Sequence, residues 1–174
     1  PMADDYQFAV IAREHGVIGS MKYWYQNWSG VVISSGLQSL VSLGGPTATA
    51  WLPLLTLLLW LGLLVVGAYR LLRRLGFQRP GVIASIIGCG IVGATLTGIP
   101  NVYQSLYWTS GNATYTSGLV ALTAQAVLLI ILIEKEEWIS GLGVALTFGF
   151  GFLVGGFTES LTVMQIPLYL LAMI

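Results

Sequence analysis

Long apolar runs broken by short polar punctuation organise this chain. Residues 49–69 are almost all Leu, Val, Trp, Ala, Thr and Gly, and the run ends at Arg70, Arg73, Arg74 and Arg79. A second run, 81–99, stops at Pro100, and a third, 118–133, meets the turn Glu134-Lys135-Glu136-Glu137. A fourth covers 139–157, and a fifth begins near Leu161 and is cut off at Ile174. A helix of about twenty apolar residues crosses the roughly 30 Å hydrocarbon core of a bilayer. The pattern therefore predicts an all-α, polytopic transmembrane helix bundle. It forms a single membrane domain over 49–174, with spans near 49–69, 81–99, 118–133, 139–157 and a truncated 161–174.

Residues 1–48 follow another rhythm. Asp4 or Asp5 can cap a first helix, because a carboxylate there accepts free backbone N–H groups of the first turn. Phe8, Ile11 and Ala12 follow at helical spacing, and Gly16 and Gly19 interrupt. Met21, Trp24, Tyr25 and Trp28 then recur at i, i+3, i+4 and i+7, the signature of an aromatic helix face. Trp and Tyr favour the membrane–water boundary, where the ring is apolar and the N–H or O–H stays wet. Residues 4–28 read as two short helices lying along the membrane surface. The stretch 31–43 contains Ser34, Ser35, Gln38, Ser39 and Ser42 and is too short and polar to span, so it reads as part of that layer or a partly inserted helix.

Composition sharpens this picture. Hydrophobic residues make up 56% of the 174, and charged residues 8%, against about a quarter in soluble domains, which identifies an integral membrane protein. The net charge is zero, so no basic field attracts nucleic acid. Cys89, the single cysteine, has no partner for an intrachain disulfide. The four arginines after the first span place that loop in the cytoplasm by the positive-inside tendency. Residues 1–48, the aromatic loop 101–117 and residues 158–160 then face outward, which implies a plasma-membrane protein with its site on the extracytoplasmic face. An apolar run reaching Ile174, and Pro at position 1, read as a piece of a longer protein.

Three motif matches carry little chemistry. Gly88-Cys-Gly90-Ile-Val-Gly93 fits a dinucleotide pattern but lacks the preceding strand and the following acid, and reads instead as a close-approach face between helices. Asn112-Ala113-Thr114 is a glycosylation sequon of a kind common by chance. His15 has no Cys or His companions and forms no metal site.

The acids on the outer face are the candidate chemistry. Asp4 and Asp5 can be a helix cap, yet Tyr6, Trp24 and Trp28 nearby would partly desolvate them, which strengthens a carboxylate as a base. Glu159 is an isolated charge at the outer end of a span, where it serves either as a solvated loop acid or as a third acid converging on the same face.

Together, Ala3-Asp4-Asp5-Tyr6, Trp24 to Trp28-Ser29-Gly30, Tyr107-Trp108-Thr109-Ser110-Gly111 with Tyr115, and Gly155-Gly156-Phe157-Thr158-Glu159 resemble the GT-C class of polytopic membrane glycosyltransferases. The likeness is to a bacterial branch of otherwise uncharacterised membrane proteins, and the pieces occur in the family's order over nearly the whole chain. The resemblance implies a first transmembrane helix before Pro1 and a polyprenyl-phosphate sugar donor. It also implies inverting transfer to a cell-envelope glycan, lipid or protein acceptor outside the cytoplasm. The general base maps first to Asp4 and second to Asp5, with Tyr6, Trp24, Trp28, Tyr107, Trp108, Tyr115 and Glu159 binding substrate. No cofactor is required, although paired carboxylates leave room for a divalent cation. Relatives often carry Arg after the Trp-Ser-Gly segment, where a cation could hold the donor phosphate; this chain has Val31. Two other classes fit the composition: a transporter or lipid flippase using Glu159 as coupling acid, and a non-catalytic membrane subunit.

Overall fold

A computed structural model describes residues 3–28, 30–136 and 140–172. It is all-α; among the described residues there is no strand. The helices are α1 (Ala3–Asn27), α2 (Val32–Leu43), α3 (Gly45–Arg74), α4 (Pro80–Gly98), the short α5 (Thr109–Gly111), α6 (Ser117–Glu134), α7 (Gly141–Gly155) and α8 (Glu159–Ala172). Two π turns, Tyr103–Tyr107 and Asn112–Thr116, flank α5, and the chain runs as one continuous helix over Thr109–Glu134. Much of the segment 101–117, expected as a loop, is therefore helical.

Among the described residues, three helices are long and apolar enough to cross a membrane: Gly45–Arg74, Pro80–Gly98 and Thr109–Glu134. Their surfaces point to a bilayer environment. On α4 the buried residues are Ala84 and Gly88, while Val82, Ile86 and Ile91 stand exposed; in water such a helix would leave most of its apolar surface unburied. The described part of α7 has 15 residues, about 22 Å at 1.5 Å per residue, short of the hydrocarbon core. The start of the expected fourth span, Ile139, and the end of the fifth, Ile174, lie outside the described residues, as do Ser29 and Glu137.

The long helices meet where side chains are small or polar. Gly88 of α4 lies against Val65 and Leu61 of α3, whereas Gly90 and Gly93 face open space, so one glycine of the three makes the close approach. Trp60 of α3 donates its indole N–H to Thr123 Oγ1 of α6 at 3.0 Å. At the far end of the same pair, Arg70 and Glu134 form an ion pair at 2.5 Å, which brings the arginine-rich end of α3 and the acidic turn together.

Residues 3–43 form a folded layer on this bundle. Gly16 has φ 68°, a left-handed conformation open to glycine, and it kinks α1 into two halves. Both halves bury residues: Asp5, Phe8 and Ala12 before the kink, Ser20 and Trp24 after it. The α2 helix is inverted relative to a soluble helix, burying Ser34, Ser35, Gln38 and Ser39 while Leu40 and Leu43 are exposed. Its polar face is satisfied internally, with Ser39 Oγ donating to Ser35 O at 2.7 Å and lying 2.7 Å from Ser20 Oγ. The N-terminus of α2 is pinned to the bundle by the Ile33 amide, which donates to Gly156 O at 2.9 Å. Ile33 and Leu37 pack there on a small core of Val154, Phe157 and Leu161.

Candidate functional site

Four separated stretches of chain line one cavity of about 260 Å³ where α1, α2, α5 and the α7–α8 connection meet. Phe8, Trp24 and Trp28 form an aromatic wall from α1, and Trp108 and Tyr115 face it from the helical segment beyond α4. Phe8 and Trp24 are stacked at 4.2 Å between ring centroids, and Trp28 is tilted on Trp24 at 5.5 Å. Trp24 is buried; Trp28 and Tyr115 are largely exposed and form the rim. Ser34, Ser35 and Gln38 supply a polar floor from α2, and Thr158 a further hydroxyl.

Asp4 opens onto this cavity half-buried, and Asp5 does not. Successive residues of a helix are about 100° apart, so two adjacent acids cannot share a direction. Asp5 is buried and turns to a second groove, of about 460 Å³, together with Tyr6, Arg13, Tyr103 and Tyr107. Its Oδ1 accepts the backbone N–H of Ser110 at 3.2 Å and the Ser110 hydroxyl at 3.1 Å. Gln38 Nε2 donates to the same hydroxyl, so α2, α5 and α1 are joined through one serine. Next to this serine, Gly111 lies tightly under the preceding turn: a Cβ there would overlap the carbonyl oxygen of Gln104.

The expected site residues thus divide. Asp4, Trp24, Trp28, Trp108 and Tyr115 gather at the aromatic cavity, while Asp5, Tyr6 and Tyr107 line the groove on the other side of α1. Glu159 is exposed in the first turn of α8, next to Thr158, where a negative charge also suits the positive end of the helix dipole. Sequence reasoning had not assigned Phe8, Ser34, Ser35, Gln38, Thr114 or Thr158 to the site. The serines and Gln38 had a visible signal in the unexpected polarity of α2.

Asn112, the sequon asparagine, is fully buried. Its Nδ2 donates to Leu106 O at 3.0 Å, and its Oδ1 accepts from Ser117 Oγ at 3.2 Å and lies 3.2 Å from Thr56 Oγ1. It serves as a bracket beneath the site, tying the π-turn region to α3.

No protein-family model matches the chain, and neither a curated protein nor a solved structure is significantly similar to it.

Among the described residues lining the aromatic cavity, Asp4 is the one charged group, and Val31 stands at its edge. The cavity is therefore negative and aromatic, suited to a neutral polyhydroxylated ligand or a cation rather than to a phosphate. Aromatic faces stack on the apolar face of a sugar ring, while a carboxylate, serine hydroxyls and a glutamine amide meet its hydroxyls. The indole N–H groups of Trp24 and Trp108 are both buried with no hydrogen-bond partner among the described residues, a rare condition for buried donors. No group of three or more His, Cys, Asp or Glu side chains gathers among the described residues, and Asp4 and Asp5 do not line a common cavity.

Proposed function

We propose that the chain is part of a GT-C-like membrane glycosyltransferase in which Asp4 is the general base. The observation that carries this reading is the convergence on one cavity of Asp4, Trp24, Trp28, Trp108 and Tyr115, residues from stretches far apart in sequence that each belong to the resembling motifs. Single-turn π segments, of the kind that flank Trp108 here, occur often at functional sites.

In this reading the acceptor hydroxyl sits beside Asp4. A sugar hydroxyl is a weak nucleophile, and loss of its proton to the carboxylate as its oxygen attacks C1 contributes typically 10²–10⁴-fold. The new bond forms from acceptor oxygen to C1, the bond from C1 to the lipid phosphate breaks with inversion, and the proton ends on Asp4. The aromatic wall holds the sugar, and the polyprenyl tail lies along the exposed apolar surface of the bundle. The negative cavity leaves the donor phosphate to be held elsewhere, in keeping with Val31 at the position where members of the class it resembles often carry Arg.

The test is sugar transfer from lipid donor by the full-length protein. Asp4→Asn should abolish turnover while the protein stays folded; unimpaired transfer would remove Asp4 from the role of base. Labelling of a Tyr6→Cys variant, made in a Cys89→Ser background, should occur from the extracytoplasmic side, and labelling from the cytoplasm would defeat the scheme.

A further inference from the structure

We infer that the arginine-rich end of α3 is a binding site for an anionic phospholipid. Val66, Tyr69, Arg70, Arg73 and Arg74 follow one another at i, i+3, i+4, i+7 and i+8, which places them on one face of α3, and with Glu134 of α6 they line a pocket of about 430 Å³. Three cations stand there against one carboxylate. Arg70 is engaged by Glu134 at 2.5 Å, while the guanidinium groups of Arg73 and Arg74 have no ion pair or hydrogen bond among the described residues. A guanidinium presents a planar fork of donors that matches phosphate oxygens, and it is more weakly hydrated than an ammonium, so two such groups at a pocket mouth favour a phosphate diester.

The pocket's apolar side selects a lipid over a soluble anion. The same helical face continues from Val66 through Gly62 to Leu59 and Leu55, with all three of the large residues exposed and Gly62 opening onto free space. From Arg73 to Leu59 is 14 residues, about 21 Å along the axis, somewhat more than one leaflet's share of the roughly 30 Å core. An acyl chain can lie along that stripe with its headgroup phosphate at Arg73 and Arg74 and its glycerol region beside Tyr69. Basic pockets between transmembrane helices bind anionic headgroups on this principle. Attraction of the helix C-terminus for positive charge accounts for arginines at this end, but not for their sharing a pocket with an exposed apolar track. The site lies at the opposite end of α3 from the aromatic cavity, and it stands or falls independently of the glycosyltransferase reading.

Native mass spectrometry of the full chain, titrated with phosphatidylglycerol or phosphatidylcholine of identical acyl chains, tests it. The unmodified protein should retain phosphatidylglycerol preferentially, and Arg73→Gln with Arg74→Gln should lower that affinity about tenfold or more. Arg79→Gln, which removes a charge outside the pocket, should leave it within about twofold. Glu134→Gln releases Arg70 and should tighten binding, a gain that loss of folding cannot mimic. Millimolar inorganic phosphate should not displace the lipid. Equal retention of the two lipids would overturn the proposal, as would an Arg79→Gln loss as large as the double variant's, weaker binding by Glu134→Gln, or displacement by free phosphate.

Discussion

Ser110 donates both its backbone N–H, at 3.2 Å, and its hydroxyl, at 3.1 Å, to Oδ1 of Asp5, 105 residues earlier in the chain. The pair fastens the layer of α1 and α2 to the helical segment that starts the last long span, and it fixes which way Asp4 points. A charged acceptor taken out of water and given two donors contributes more than a neutral hydrogen bond. Asp5→Ala should lower stability by about 2–3 kcal/mol, and Ser110→Ala, which keeps the backbone donor, by about 1 kcal/mol. Equilibrium unfolding in detergent checks both, and values indistinguishable from the parent protein would mean that the bridge does not hold the layer in place.

Asn112 should remain unmodified in a host that glycosylates such sequons, because its amide nitrogen is buried and engaged by Leu106 O. Intact mass measures this directly, and a glycan on Asn112 would contradict its buried position. Asn112→Ala removes the side-chain partner of the Leu106 carbonyl and the Ser117 hydroxyl, while the Thr56 hydroxyl keeps Leu52 O, so a loss of about 2–3 kcal/mol is expected. Asn112→Asp should be no milder, since it replaces the donor to Leu106 O with an acceptor.

Gly88 and Gly90 offer a matched pair on α4. A Cβ at Gly88 would come within 2.8 Å of Val65 Cγ2 and 3.3 Å of Leu61 Cδ1, while nothing lies within 4 Å of one at Gly90. Gly88→Ile should therefore push α3 and α4 apart at a cost of about 1–3 kcal/mol, the range for overpacking. Gly90→Ile should be close to neutral, adding one more apolar group to the surface facing lipid. Melting temperatures of the two variants in the same detergent decide it; a ranking in the other direction would mean that α4 packs through its other face.

The apolar runs and their arginine stop made the all-α membrane character legible, because hydropathy over twenty residues depends on composition rather than on partners. The break in α1 was legible too, through Gly16. Harder to read was 101–117, where Tyr103, Tyr107 and Trp108 looked like an interfacial loop; its helicity depends on Asn112 and on Gly111 lying under Gln104, contacts made across the turn and not written in any periodicity. The division of Asp4 from Asp5 follows from helix geometry, but which acid faces the cavity depends on Ser110, a residue with no local signal. The polarity of α2 marked it as unusual without showing that its serines point inward, since periodicity gives a face and not its direction. In a membrane protein the polar face can be the buried one.

The same inversion governs the far side of the bundle. Gln125 of α6 is fully buried, and its Nε2 donates to Gln165 Oε1 of α8 at 3.3 Å and to the hydroxyl of Tyr169. That hydroxyl donates in turn to Thr147 O of α7 at 3.2 Å, so one neutral cluster joins three helices, while Gln125 Oε1 has no partner among the described residues. Lipid tails offer no hydrophobic drive between helices, which leaves packing and such bonds to hold α7 and α8 on α6. Interhelical hydrogen bonds in this setting average about 0.6 kcal/mol and reach about 1.7 kcal/mol, so Tyr169→Phe should cost within that range. Gln125→Leu should cost more, because it leaves Gln165 Oε1 without its donor and takes one of the two partners of the Tyr169 hydroxyl, whereas Gln125→Leu combined with Gln165→Leu should cost less than the sum of the single changes by removing the stranded partner. Gly151→Ala should resemble Tyr169→Phe, as its Cβ would sit 2.6 Å from the tyrosine oxygen and displace it. A double-mutant cycle by unfolding in detergent reads the coupling directly. Strict additivity of the glutamine changes would show that the three helices are held by packing, with the cluster a bystander.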